Sequence, residues 1–254
     1  MTWRSVDRAG LLDASGNDPY VELTCGDVAV GVVGEHGWAC LHRWRPTGHW
    51  GGAAMVHEDA PQDAESTALR ALLDAVPQVA LEWFSTADGR GLQLPEKFRV
   101  KGSGRWNLLS TRSVPPQVAL PEGFALVELD DTVDADRLEA FGRRHNPDFE
   151  GFPGHGFSML WLGVLDDMGR LAAIGSLHEL DTGLPHLSGI VVDRARRGRG
   201  LGRAVTVGLT RRALGLSGVS TLGVYADNRV AISLYHSLGY ETHHSFHTRD
   251  VQPA

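Results

Sequence analysis

The chain has 254 residues, 42% of them hydrophobic and 22% charged, and a formal net charge of −7. This is the composition of a folded globular protein long enough for one large or two small domains, and its acidic balance argues against general nucleic-acid binding. No apolar run approaches the ~20 residues needed to span a bilayer, and Met1-Thr-Trp-Arg4 lacks the apolar core of a secretory leader; a cytoplasmic protein with neither a membrane nor a nucleic-acid partner is expected.

Residues 18–57 read as a β-meander. Segments 20–25, 27–33, 38–44 and 50–57 are short and are separated by Gly, Asp, His or Pro. The two cysteines, Cys25 and Cys40, fall in neighbouring segments. They are expected as buried reduced thiols, with a pairing across a hairpin as the alternative. Residues 65–76 follow with helical periodicity, Leu69, Leu72, Leu73 and Val76 forming the apolar stripe. Residues 79–85 and 105–111 are further strand candidates. Val114-Pro-Pro-Gln-Val-Ala-Leu-Pro121 then reads as a linker. It divides the chain into an N-terminal α+β domain over 1–113, the linker over 114–121 and a second domain over 122–254.

From 124 the order is strand (124–129), helix (134–144), a Gly/Pro-rich stretch (146–156) and three strands (157–165, 170–180, 187–192). A loop, a helix (201–214), a strand (221–225), a helix from 229 and a last strand complete it. Twelve histidines invite a metal. However, the strand-like alternation of 240–248 would put His243 and His247 on one face and His244 on the other, with no cysteine or carboxylate at ligand spacing. No metal is expected.

The chemistry concentrates where a β-branched run passes through an Arg/Gly loop into a helix: Ile190-Val-Val-Asp-Arg-Ala-Arg-Arg-Gly-Arg-Gly-Leu-Gly-Arg-Ala-Val205. The first N–H groups of a helix lack internal acceptors and face outward at its positive end, so an anion can dock there. Gly198, Gly200 and Gly202 remove the side chains that would hold it off. The loop lacks the Gly-Lys-Ser/Thr of a Walker A motif, and no carboxylate lies where the dinucleotide fingerprint needs one. A second segment, Ala226-Asp-Asn-Arg-Val-Ala-Ile-Ser-Leu-Tyr-His-Ser-Leu-Gly-Tyr240, supplies an N-cap at Asp227 or Asn228 and a helix with Leu234 and Leu238 on one face. Gly239 is placed to end it.

Arg197-Gly-Arg-Gly-Leu-Gly202 resembles the R/Q-x-x-G-x-G/A signature of the GCN5-related N-acetyltransferases (GNAT). Asn228, Ala231, Leu234, Tyr235, Gly239 and Tyr240 resemble that superfamily's second motif, in the right order and at the right separation. The resemblance covers about 121–250 and suggests an FR47-like C-terminal domain. It implies a mixed α+β fold with a central twisted mixed sheet in the C-terminal half. The smaller N-terminal α+β domain, with its β-β-β-β-α-β flavour and no second glycine loop, would then be a degenerate copy of the same fold.

The activity implied is transfer of an acyl group, expected to be acetyl, from acetyl-CoA to a primary amine. A small-molecule amine is the leading acceptor. A protein N-terminus or lysine, and a non-catalytic acyl-CoA- or drug-binding module, are the alternatives; a homodimer is an open expectation. By the resemblance, Ile190, Val191 and Val192 contact pantetheine and polarise the thioester. Backbone N–H groups of Arg197, Gly198, Arg199, Gly200, Leu201, Gly202 and Arg203 bind the pyrophosphate, so glycine geometry outweighs arginine identity. Asn228 contacts the pantetheine arm, and Tyr235 lies near the sulfur as general acid. The glutamate that many members carry before the end of the fourth strand is replaced by Ser188 and Gly189. His186, with an ordinary pKa near ~6.5, and Glu179, acting through water or an upward-shifted pKa, are the candidate bases. The loop 143–156, with Asp148, Phe149, Glu150 and Phe152, has the composition to clasp a cationic amine.

Overall fold

The computed structural model describes residues 2–45 and 49–254. Short local signals start the first half. Strand β1 (Arg4–Val6) leads into helix α1 (Arg8–Ala14), whose Asp7 cap accepts a hydrogen bond from the Gly10 N–H at 2.9 Å. Helix α2 (Pro19–Thr24) follows, then β2 (Val30–Gly34), β3 (Gly37–Arg43), β4 (Trp50–Val56), helix α3 (Ala64–Ala75), β5 (Leu81–Ala87) and β6 (Phe98–Thr111).

One segment of the expected meander is corrected. Residues 20–25 read as a strand because Tyr, Val and Thr favour one. Asp18, however, caps the Tyr20 N–H at 2.8 Å and Pro19 occupies the first turn, so the segment is helical. Cys25 therefore ends a helix, and its sulfur lies 3.7 Å from that of Cys40, both thiols free and buried. His42 beside them has both ring nitrogens engaged, by the Tyr20 hydroxyl at 2.8 Å and the Arg43 carbonyl at 2.7 Å.

The second half runs β7 (Phe124–Leu129), α4 (Ala135–His145), β8 (Ser158–Asp166), β9 (Leu171–Glu179), β10 (Pro185–Val192), α5 (Leu201–Ser217), β11 (Ser220–Tyr225), α6 (Arg229–Ser237) and β12 (Glu241–Pro253). Its elements fall where the sequence places them. The alternation expected over 240–248 breaks at a register shift between Thr242 and His244. His243 bonds Ser110 and His244 bonds Asp18.

All twelve strands form one sheet in the order β1-β2-β3-β4-β5-β12-β6-β11-β10-β9-β8-β7. Read from its two ends, this is one pattern repeated, each strand of the first half corresponding to the strand six later in the second. The β4/β5 and β10/β11 pairs are parallel and the other pairs antiparallel. At the centre the halves exchange strands, because β6 pairs with β11 and β12 pairs with β5. Helix α3 covers the first half through Leu69, Leu72 and Leu73, and α5 covers the second through Val205 and Leu209. The connecting segment 114–121 lies along α5, where Arg211 donates to the Pro115 carbonyl at 2.8 Å and Val118 and Leu120 pack on the core.

The first half repeats the strand pattern of the second without the parts that would hold a phosphate. Where the second half has its glycine loop, the turn before α3 carries Glu58, Asp59 and Asp63, which would repel an anion. Where the second half has α6, the first passes from β5 to β6 without a helix.

Candidate active site

The site forms where β10 and β11 part. They pair at His186↔Thr221 and Leu187↔Leu222 and then separate. Gly189 begins the parting: its φ is +61°, and a Cβ there would lie 2.9 Å from the Gly151 Cα. The register of β10 against β9 shifts between Ser188 and Val191, a bulge that re-aims the strand's end. Ile190 and Val191 thereby line a cavity of about 430 Å³ between the strands.

Helix α5 follows β10 after the arginine-rich turn. Gly198 and Gly200 have φ of +76° and +79°, and an added Cβ at either would meet no atom within 4 Å. The backbone conformation, rather than crowding within the protein, therefore demands glycine there. No side chain caps the helix, so its first N–H groups are available to an anion. Gly202 permits a close approach, since its Cβ would lie 3.0 Å from Val192. The arginines of the loop turn back onto the protein. Arg194 and Arg197 donate to the His145 carbonyl, Arg196 pairs with Asp166 at 2.7 Å, Arg203 donates to Ser237, and Arg199 stacks 4.7 Å from the Phe124 ring centre. What the turn leaves free is therefore backbone N–H rather than arginine heads.

Asn228 caps α6, its Oδ1 accepting from the Ala231 N–H at 3.2 Å, and it also lines the cavity. About two turns on, Tyr235 is 8% exposed and reaches the same cavity. Its hydroxyl makes no hydrogen bond to the described residues. Burial pushes its pKa far above the usual phenol value, so it stays protonated.

The two candidate bases fare differently. His186 lies on the cavity wall, its ring edge-on to Trp44 with centres 5.4 Å apart. The Thr221 hydroxyl donates to the Pro185 carbonyl at 3.2 Å and so accepts from His186 Nδ1 at 2.9 Å, leaving the Nε2 lone pair free. The near-neutral basicity expected for His186 is corrected. Burial, with His178 and Arg45 nearby, lowers its pKa to about 3, so the ring is neutral and a weak proton acceptor. Glu179 is not brought to the site. It ends β9 exposed to solvent and off the cavity wall, while His178 beside it points inward, as strand alternation requires.

Asp148, Phe149 and Glu150 of the loop between α4 and β8 do line the cavity. Glu150 accepts from the Tyr225 hydroxyl at 3.1 Å, and its backbone carbonyl accepts from Ser188 at 3.1 Å. The first half supplies the facing wall through Trp44, Arg45 and Trp106, with Thr248 and Asp250 from the exchanged β12. Sequence reasoning missed these residues, and no local pattern marks them. They reach the site only through the strand exchange.

Three buried histidines give the fold an acid limit. Burial is the leading cause that lowers His42 to about 4 and His178 and His186 to about 3. An unfolded chain has histidines near ~6.5. Between those values the unfolded state binds protons that the folded state refuses, so stability falls as pH drops below about 6.5, by about 1.4 kcal/mol per pH unit for each histidine. Thermal melts should show the midpoint falling steeply from pH 7 to pH 5. A midpoint flat over that interval would show that these rings are not held neutral.

Of the sheet's two parallel pairs, the one formed by β10 and β11 parts beside a glycine-capped helix, the arrangement that the GNAT resemblance implies. Residues 126–240 match the model of the acetyltransferase (GNAT) family. Solved structures share the fold over the whole chain. An acetyltransferase of the GNAT family from Novosphingobium aromaticivorans is 21% identical, with 96% of each chain covered and a TM-score of 0.57. A GCN5-related N-acetyltransferase from Sphaerobacter thermophilus is 16% identical, covering 99% of this chain and 95% of that one at a TM-score of 0.54. A tandem GNAT protein from the clavulanic acid biosynthesis pathway is 13% identical, covering 99% and 98% at a TM-score of 0.50. No curated protein matches the chain.

Proposed function

We propose that the chain transfers an acetyl group from acetyl-CoA to the primary amine of a small molecule by direct attack on the thioester. The observation that carries this is the convergence of three parts on one cavity: the parted end of β10, the Asn228 cap and the unbonded Tyr235 hydroxyl. The backbone at Gly198–Arg203 holds the pyrophosphate, and Ile190, Val191, Val192 and Asn228 hold the pantetheine arm. The amine nitrogen, once neutral, bonds to the thioester carbon, the C–S bond breaks, the departing sulfur takes the proton of Tyr235, and the proton that the new amide nitrogen loses restores the Tyr235 hydroxyl. Glu150 meets the incoming ammonium and accepts its proton. The mouth, with Asp148, Glu150 and Asp250 beside Trp44, Trp106 and Tyr225, suits a small cation among aromatic walls.

The test is calorimetric titration with acetyl-CoA, followed by free-thiol release across small amines and peptide N-termini. Binding with release dependent on a small amine is expected. Release with peptide N-termini alone would name a protein acceptor, and binding without release for any amine would name a sequestering module.

A further inference from the structure

Arg45 is a largely buried cation without a counter-ion. It sits just beyond β3 on the cavity wall, and its guanidinium lies over the rings of Phe152 and Phe157, 5.1 and 4.8 Å from their centres. One of its N–H groups has a protein acceptor: Nη2 donates to His178 Nδ1 at 2.9 Å. Among the described residues its Nε is buried with no partner, and no carboxylate is in ion-pair reach. Arg43, two residues earlier, shows the ordinary solution, pairing with Asp181 at 3.0 Å. An unpaired buried charge is costly unless something neutralises it.

The surroundings hold Arg45 in this state. His178 is fully buried, and its Nε2 donates to the Gly151 carbonyl at 2.8 Å, so Nδ1 must be the acceptor that aims the guanidinium. Phe152, beneath it, has a φ of +48°, a left-handed conformation unusual for an aromatic residue and of a kind concentrated at ligand sites. Glu150, whose charge acts on Arg45, keeps its carboxylate on Tyr225. The cavity lining therefore combines one fixed positive group, Arg45, with the carboxylates of Asp148, Glu150 and Asp250.

We propose that the acceptor amine also carries a carboxylate, which pairs with Arg45 while the ammonium faces Glu150, so that the substrate class is amino acids rather than polyamines or simple amines. The inference rests on the acetyl-transfer reading and deepens it. His178 is a positioning residue, acting through Arg45.

The protein amino acids, each set against its own α-amide, separate the two ideas. Thiol release should be faster for at least one acid than for its amide by about thirtyfold or more in kcat/KM, the effect of leaving a buried charge unpaired. Arg45→Gln should erase that ratio, raising KM for the acid far more than for the amide. Arg45→Lys, which keeps the charge but loses the planar fork, should fall between. Amides used as well as acids, or both lowered equally by Arg45→Gln, would overturn the proposal. If no amine releases thiol although acetyl-CoA binds, the transfer reading fails, and titration of the acids into CoA-saturated protein decides the rest. Binding lost in Arg45→Gln would uphold the carboxylate site, and absence of binding would end it.

Discussion

Replacing Tyr235 with Phe is expected to lower kcat by about 10²–10⁴, the span ascribed to a positioned general acid, while leaving the acetyl-CoA dissociation constant and the melting temperature nearly unchanged. The hydroxyl bonds no described residue, so its removal orphans no partner. The ring keeps its packing, 5.9 Å from that of Tyr240. Tyr240 is the built-in control, for its hydroxyl meets Thr210 at 2.8 Å and Ser220 at 2.6 Å inside the core. Tyr240→Phe should cost about 1–3 kcal/mol of stability by leaving buried groups unsatisfied and should change kcat little. Rapid thiol-release kinetics, calorimetric acetyl-CoA binding and thermal melts on both variants make the comparison. An unchanged kcat in Tyr235→Phe, or equal losses of kcat and affinity, would remove Tyr235 from the proton-donor role.

What the sequence made legible was what local chemistry determines. The glycine loop, the Asn228 cap and the Leu234/Leu238 stripe are contained in short segments, and the second half's elements follow from them. Residues 20–25 misled because strand-favouring side chains outweighed the two-residue Asp18-Pro19 signal. The strand exchange was not legible, since β6 and β12 find partners across the halves and both alternate like any strand. The same meeting of the halves hid the facing wall of the cavity: Arg45 and His178 are separated by 133 positions, and neither stands out alone. The basicity of His186 was misjudged for a related reason, because its burial and the neighbouring Arg45 and His178 come from distant parts of the chain.

Gly200→Val is expected to raise the acetyl-CoA dissociation constant about tenfold to a hundredfold, which is about 1.4–2.8 kcal/mol, with a smaller loss of stability. Two effects combine. At φ +79° a β-branched side chain is strained, by about 1–2 kcal/mol for an ordinary residue and more for a branched one. That strain should lower the melting temperature by about 2–4 °C per kcal/mol in a chain of this size. The new Cβ meets no protein atom within 4 Å, so the fold accommodates it, and the space it takes is the space the pyrophosphate needs. Gly215 separates strain and helix propensity from binding. It lies inside α5, is exposed, and a Cβ there also meets nothing within 4 Å, but its φ is not positive. Gly215→Ala should therefore stabilise the helix by about 0.5–1 kcal/mol and leave acetyl-CoA affinity untouched. Affinity unchanged in Gly200→Val, with its melting temperature lowered as expected, would show that the first turn of α5 does not hold the phosphates.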